Sequence, residues 1–300
     1  MKKIANLIGS LLFVFILMMF YFKFDDIKTM FHDFIIKSDK ITIPESNKYW
    51  RSYTYKKFTN EEDFIPHSKD DIENIFYNIL NNGWDEFIFY CPVEYEKCTK
   101  DVESISSSTI EMSKIAGYVS PYNSHKTLNT TISSYGEIYV KITKKYTNSE
   151  IEEINEEIKE IYNEYNLEEK TLEEKIKTFH DYLIKNTTYD EVFASTGESQ
   201  YNAPKANGAL LEHYAVCGGY SDAMAIFLDY IDVPNLIITN DNHAWNLVYY
   251  NNNWLHIDST WNDAEIERFN YEFYLINTQK LLEIDTIQHT FDTEFFIEAK

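Results

Sequence analysis

Between Lys3 and Lys23 the chain carries no charged residue. The run from Ile4 to Phe22, IANLIGSLLFVFILMMFYF, is apolar all round. As a helix rising ~1.5 Å per residue it reaches across a hydrocarbon core ~30 Å thick, with slight thinning of the bilayer. In lipid a lone segment has no other choice, because only a helix satisfies its own backbone groups. A cleaved signal peptide needs a small-x-small site after a shorter apolar stretch, whereas this run ends in bulky Met-Met-Phe-Tyr-Phe-Lys-Phe. The expectation is a retained signal-anchor over residues 1–24, with the membrane met through residues 4–22. Lys2 and Lys3 then stay cytoplasmic, Asp25 and Asp26 follow on the far side, and the rest of the chain is extracytoplasmic.

An exported chain makes its cysteines informative. There are three, Cys91, Cys98 and Cys217, so at least one thiol is unpaired. Cys91 and Cys98 enclose a short loop after the strand-like EFIFY, a separation compatible with a local disulfide. If those two pair, Cys217 is the free one, which fits a nucleophile.

Charge excludes one class of partner. With 49 acidic against 27 basic residues the formal net charge is −22, and nucleic-acid binding depends on neutralising phosphates with Lys and Arg. No nucleic-acid partner is expected. The 44% of hydrophobic residues supplies a sizeable core and room for more than one domain.

Residues 25–50 mix apolar and charged positions without period and read as a stalk. Residues 51–148 read as a small α+β module, with a helix from Lys69 to Asn82 stopped by Gly83 and a strand from Glu86 to Tyr90. A second helix over Asp101 to Ile115 and a strand from Glu137 to Tyr146 complete it. Residues 149–300 read as the catalytic domain. Ser149 with Glu152 forms a capping box ahead of Ile151, Ile154, Ile158 and Ile161, and Thr171 with Glu174 forms another ahead of Ile176, Phe179 and Leu183. Further on, a helix stops before Pro234, a strand covers Asn235 to Thr239, and His243–Tyr250 pairs with Trp254–Trp261 as a hairpin across Asn251-Asn252-Asn253.

Cys217 stands where that helix begins, and free N–H groups with the helix dipole favour the thiolate there. Gly218 and Gly219 remove side-chain bulk beside it, letting the backbone turn and a substrate approach. A thiolate needs a base, and the base an orienting group. His243 opens the first hairpin strand and Asp258 lies on the second. Positions summing to about 503 or 504 face each other, so Asp258 sits diagonal to His243 and a modest register shift brings the two together. His256 is the alternative base. Taken singly, a buried Cys, a packed His and a strand-end Asp are ordinary structural residues; their combination is what points to chemistry.

The stretch from Val216-Cys217-Gly218-Gly219-Tyr220 through His243-Ala244-Trp245-Asn246 to Trp254 and Asp258-Ser259-Thr260-Trp261 resembles the transglutaminase-like superfamily. HDYLIKNTTYD upstream resembles that family's entry into the cleft. The resemblance covers Phe179 to Asp263 and implies a papain-like α+β core, in which a helix bearing the Cys packs on an antiparallel sheet bearing the His and Asp. It also implies Cys217 as nucleophile, His243 as base and acid, and Asp258 as orienter, acting by acyl transfer at amide bonds of proteins or cell-wall peptides. The Cys217 backbone N–H, with Gly218 after it, belongs to the oxyanion hole, with Tyr189 as a second candidate. Trp245 and Trp261 line the cleft or anchor the hairpin. His243, His256 and His289 are scattered in sequence, no set has metal-ligand spacing and no glycine-rich phosphate loop occurs, so no metal and no cofactor are expected. The competing reading is a catalytically idle surface module that keeps the fold as a scaffold.

Overall fold

A computed structural model describes residues 41–52, 61–263 and 271–300. The expected membrane span at residues 4–22 lies outside them, and among the described residues no helix is long and apolar enough to cross a membrane.

The first part of the described chain packs helices α1 (Lys69–Asn81), α2 (Cys98–Ser107) and α3 (Thr109–Ala116) with a three-stranded antiparallel sheet. Its strands β1 (Glu86–Tyr90), β2 (His125–Ile132) and β3 (Glu137–Lys144) lie in the order β1-β3-β2. Ser68 caps α1 by accepting from the Asp71 N–H. The helix expected over Asp101 to Ile115 is two helices, because Ser108 takes an extended conformation and caps α3 through the Glu111 N–H. Strand β2 escapes the sequence reading for a physical reason: it is an edge strand without one fully buried residue, so it shows no apolar alternation.

Helix α4 (Asn148–Glu164) begins at a capping box of Thr147 with Glu150, two residues before the expected one. Ser149 bonds Glu153 instead, at 2.9 Å. The box of Thr171 with Glu174 opens α5 (Leu172–Asn186) as expected. A parallel pair, β4 (Thr188–Tyr189) with β5 (Tyr214–Ala215), brackets a short helix α6 (Glu191–Thr196). Helix α7 (Cys217–Tyr230) follows, then the antiparallel sheet β6 (Asn235–Thr239), β7 (Ala244–Tyr250), β8 (Asn253–Ile257) and β9 (Tyr274–Ile276), with α8 (Ser259–Asn262) and α9 (Thr278–Ile284) beside it.

That sheet is covered on both faces. Val248 and Ile257 pack with α4, α5 and α7, where the Phe179 and Phe227 rings stack at 3.9 Å. Leu236, Ile238, Trp245 and Leu247 face the other way, into one core with α1, α2, α3 and β1. Burial on both sides fits β6, which is buried along nearly its whole length and carries consecutive apolar residues from Leu236 to Ile238. Gly117 marks the closest approach: its carbonyl accepts from the Ile237 N–H, and a Cβ there would lie 2.1 Å from the Ile237 oxygen.

Candidate active site

Cys217 is the first residue of α7, and Val216 ahead of it gives no side-chain cap. Among the described residues, the backbone N–H groups of Cys217 and Gly218 find no acceptor. They are the orphan donors of a helix start, beside a half-buried thiol. Cys91 and Cys98 are joined in a disulfide, leaving Cys217 as the free cysteine. Gly218 and Gly219 lie within α7 and make no sharp turn. They let the 203–205 segment pack against the helix start instead, since a Cβ on Gly219 would stand 2.4 Å from the Ala203 oxygen and one on Gly218 3.2 Å from that of Pro204.

The hairpin has its expected facing sum, with Asn246 opposite Ile257, and no register shift. Its turn is Asn251-Asn252, both left-handed, a conformation that Asn tolerates. His243 and Asp258 meet for another reason. Both lie just beyond their strands: His243 in a loop fixed by Asn240, whose Oδ1 accepts its N–H at 2.9 Å, and Asp258 as the cap of α8. His243 Nε2 stands 2.5 Å from Asp258 Oδ2, with both side chains buried. Asp258 Oδ1 accepts the Trp261 N–H at 3.1 Å, and its own N–H donates to the Phe273 oxygen, so the carboxylate has no freedom to swing.

Electrostatics follow from these contacts. Burial works against a charged His243, but the Asp258 charge and hydrogen bond, reinforced by the hydrogen bond and charge of Cys217, push it up to about 10. With Nε2 held by Asp258, Nδ1 is the nitrogen left for the thiol. Burial also pushes Asp258 up, yet its bonds to His243 and His289 reverse this and hold it well below the usual carboxylate range.

The remaining expected residues separate. Tyr189 stays near the thiol: burial and then the Cys217 charge raise its phenol, and among the described residues its hydroxyl has no partner. Trp245 is 1% exposed and gives its indole N–H to His256 Nδ1 at 3.0 Å, so it neither lines the cleft nor offers an oxyanion donor. Trp261, half-buried, packs edge-on to His243 and Phe273. His256 holds its other nitrogen 2.9 Å from Thr278 Oγ1 and is pushed down by burial and the nearby His289 to about 3. It is a neutral structural residue, not a rival base.

His289 was not legible as part of this group. It is fully buried, and its Nε2 lies 2.9 Å from Asp258 Oδ2. His243, Asp258 and His289 thus offer donor atoms all within 4.8 Å of one another, so these histidines are not scattered in space. The two short contacts, 2.5 and 2.9 Å, are closer than the ~3.3 Å between ligands of a tetrahedral metal with ~2.0 Å bonds. As arranged, the three share protons.

Residues 159–259 match the family described as Transglutaminase-like superfamily. No curated protein matches the chain. Among solved structures, one described as the crystal structure of a TGase is 17% identical at a TM-score of 0.34, over 45% of this chain and 44% of that one. Another, described as a candidate cysteine protease from Cytophaga hutchinsonii, is 15% identical at a TM-score of 0.29, over 44% of this chain and 61% of that one. The chain therefore spans about half of the first and less than two thirds of the second, and at these TM-scores the two likenesses carry no argument of their own.

Proposed function

We propose, from the match of residues 159–259 to the transglutaminase-like superfamily, that the chain is a thiol enzyme of that kind acting on amide bonds of proteins or cell-wall peptides. Cys217 is its nucleophile, His243 its base and acid, and Asp258 the group that orients the imidazole. The observation that carries this reading is the buried His243–Asp258 contact at 2.5 Å beside the free Cys217 thiol, which helps to raise the same ring.

The chemistry follows from the positions. The Cys217 sulfur attacks the amide carbonyl carbon, and the oxyanion forms against the free N–H groups of Cys217 and Gly218, with the Tyr189 hydroxyl as a further donor. The C–N bond breaks as His243 gives its proton to the departing amine. Water or a second amine then attacks the thioester, loses its proton to His243, and releases the acyl group with the sulfur restored. Water as acceptor makes a peptidase and an amine makes a transamidase.

The enzyme is read as a bacterial protein held at the cell membrane by residues 4–22, with the site outside. The charge-free run supports this, and so does the Cys91–Cys98 disulfide, a bond that persists in oxidising surroundings. The alternative, an idle surface scaffold, leaves a buried ion pair beside a free thiol without a use.

The test is alkylation of Cys217 by iodoacetamide across pH in the full chain, with His243→Ala as control. Rapid labelling at about pH 6, well below the ordinary thiol value of ~8.5, and its loss in the control are expected. Slow labelling with an ordinary thiol profile in both proteins would sink the enzyme reading and favour the scaffold. Incubation with a protein substrate and a tagged amine then separates transfer from cleavage.

A further inference from the structure

His289 sits among aromatic rings. It stacks on Phe273 with centroids 4.9 Å apart, and the rings of Trp245 and Trp261 stand edge-on at 5.0 and 5.3 Å. Both its nitrogens meet carboxylates: Nε2 meets Asp258 at 2.9 Å and Nδ1 meets Asp285 at 2.8 Å. Asp285 is held below the usual carboxylate range: burial pushes it up, but the His289 bond and the Gln288 and Ile287 N–H groups outweigh that. Two ionised carboxylates accept and do not donate, so both contacts are hydrogen bonds only when the ring carries both protons.

The segment bearing His289 is tied down from both sides. Asn240, whose side chain fixes His243, also donates to the Gln288 and Thr290 carbonyls at 2.6 and 3.0 Å. Further along, Lys114 of α3 pairs with Asp292 at 3.0 Å, and the Tyr118 hydroxyl donates to the Phe295 oxygen at 2.8 Å. The N-terminal module therefore anchors the strap that brings His289 to the site.

We propose that His289, fixed by Asp285 inside the cage of Trp245, Trp261 and Phe273, is a positioning residue that holds the Asp258 carboxylate in line with His243. The working chain is then Asp285–His289–Asp258–His243–Cys217. Asp258 Oδ2 receives both imidazoles, so a carboxylate freed from His289 keeps one anchor fewer against rotation away from His243. This rests on the thiol-enzyme reading above. The titratable groups facing His289 are Asp258 beyond β8, Asp285 on its own strap, His243 ahead of β7 and His256 on β8.

The experiment is the iodoacetamide profile of Cys217 from pH 5 to 10 in the full chain, comparing the wild type with His289→Phe, His289→Gln and Asp285→Asn. Phe keeps a ring in the cage and removes both N–H groups, while Gln keeps a donor near the place of Nε2. We expect labelling at pH 6 to fall about tenfold or more in His289→Phe, with the profile moving toward that of an ordinary thiol, and His289→Gln to recover most of it. A purely structural role would lower the melting temperature and leave the profile of the folded protein unmoved. A folded His289→Phe whose profile overlays the wild type overturns the proposal while the enzyme reading stands; a wild type with an ordinary profile overturns both. Should His289→Phe not fold, Asp285→Asn, an isosteric change at a partly buried side chain, decides: about a threefold loss at pH 6 supports the relay, and an unchanged profile overturns it.

Discussion

The hairpin of β7 and β8 carries two buried histidine pockets, and they behave in opposite ways. His243 beside Asp258 is pushed up to about 10, whereas His256 between Trp245 and Thr278 is pushed down to about 3. Both rings are nine-tenths hidden from water or more. Burial is thus common to the two and decides neither; the partner does. A carboxylate at 2.5 Å makes an imidazolium the stable form, while an indole N–H spent on Nδ1 requires a neutral ring.

The largest expected effect comes from taking the carboxylate away. In Asp258→Asn the pocket of His243 comes to resemble that of His256, and labelling of Cys217 at pH 6 should fall by roughly 10³-fold or more, read as the alkylation rate of the folded protein. A rate close to wild type would mean that partner identity does not separate the pockets.

Stability against pH gives the next contrast, because the two shifts have opposite signs. His243 is raised, so its contribution is complete below the unfolded value of ~6.5 and is lost as pH rises through about 10. Asp258 is depressed, so its contribution is present above ~3.9 and is lost as pH falls below that. His256 is depressed too, but as a base: between about 3 and ~6.5 the unfolded chain holds a proton that the folded one refuses, and stability rises with pH. Melting temperatures followed from pH 4 to 10 should show His256→Phe flattening the rise on the acid side and His243→Phe flattening the fall on the alkaline side. Exchanged effects would reverse the assignment of the pockets.

A smaller effect isolates the structural pocket. His256→Phe leaves the Trp245 N–H and Thr278 Oγ1 without the ring nitrogens they meet, at a cost of about 1–3 kcal/mol in denaturant unfolding at pH 7. Its labelling rate at pH 6 should stay within about twofold of wild type, since His256 touches neither Asp258 nor the thiol. A larger drop would mean that Trp245, which serves His256 and stacks beside His243, couples the two pockets.

Residues that share a local pattern were legible without coordinates. The helix start at Cys217 is announced by the apolar spacing after it, the Thr171 box by its Glu three residues on, and the hairpin pairing by Asn251-Asn252 between two apolar strands. These place Cys217, His243 and Asp258 at three neighbouring element ends. The meeting of His243 with Asp258 was expected from a register shift and comes instead from both residues lying off their strands, which alternation along a ladder does not encode.

What the sequence by itself determined, then, are most of the elements and the element ends at which the three candidate site residues stand, because capping, periodicity and turn chemistry act over a few residues. What only the tertiary structure decided is the company those residues keep. His289 reaches Asp258 across 31 positions, and Asn240 reaches Thr290 across 50. Trp245 turns into the core shared with the first module, where its N–H serves His256. Such contacts are set by which faces of the sheet are covered and by what, and packing of that kind leaves no spacing in the chain for a reader to find.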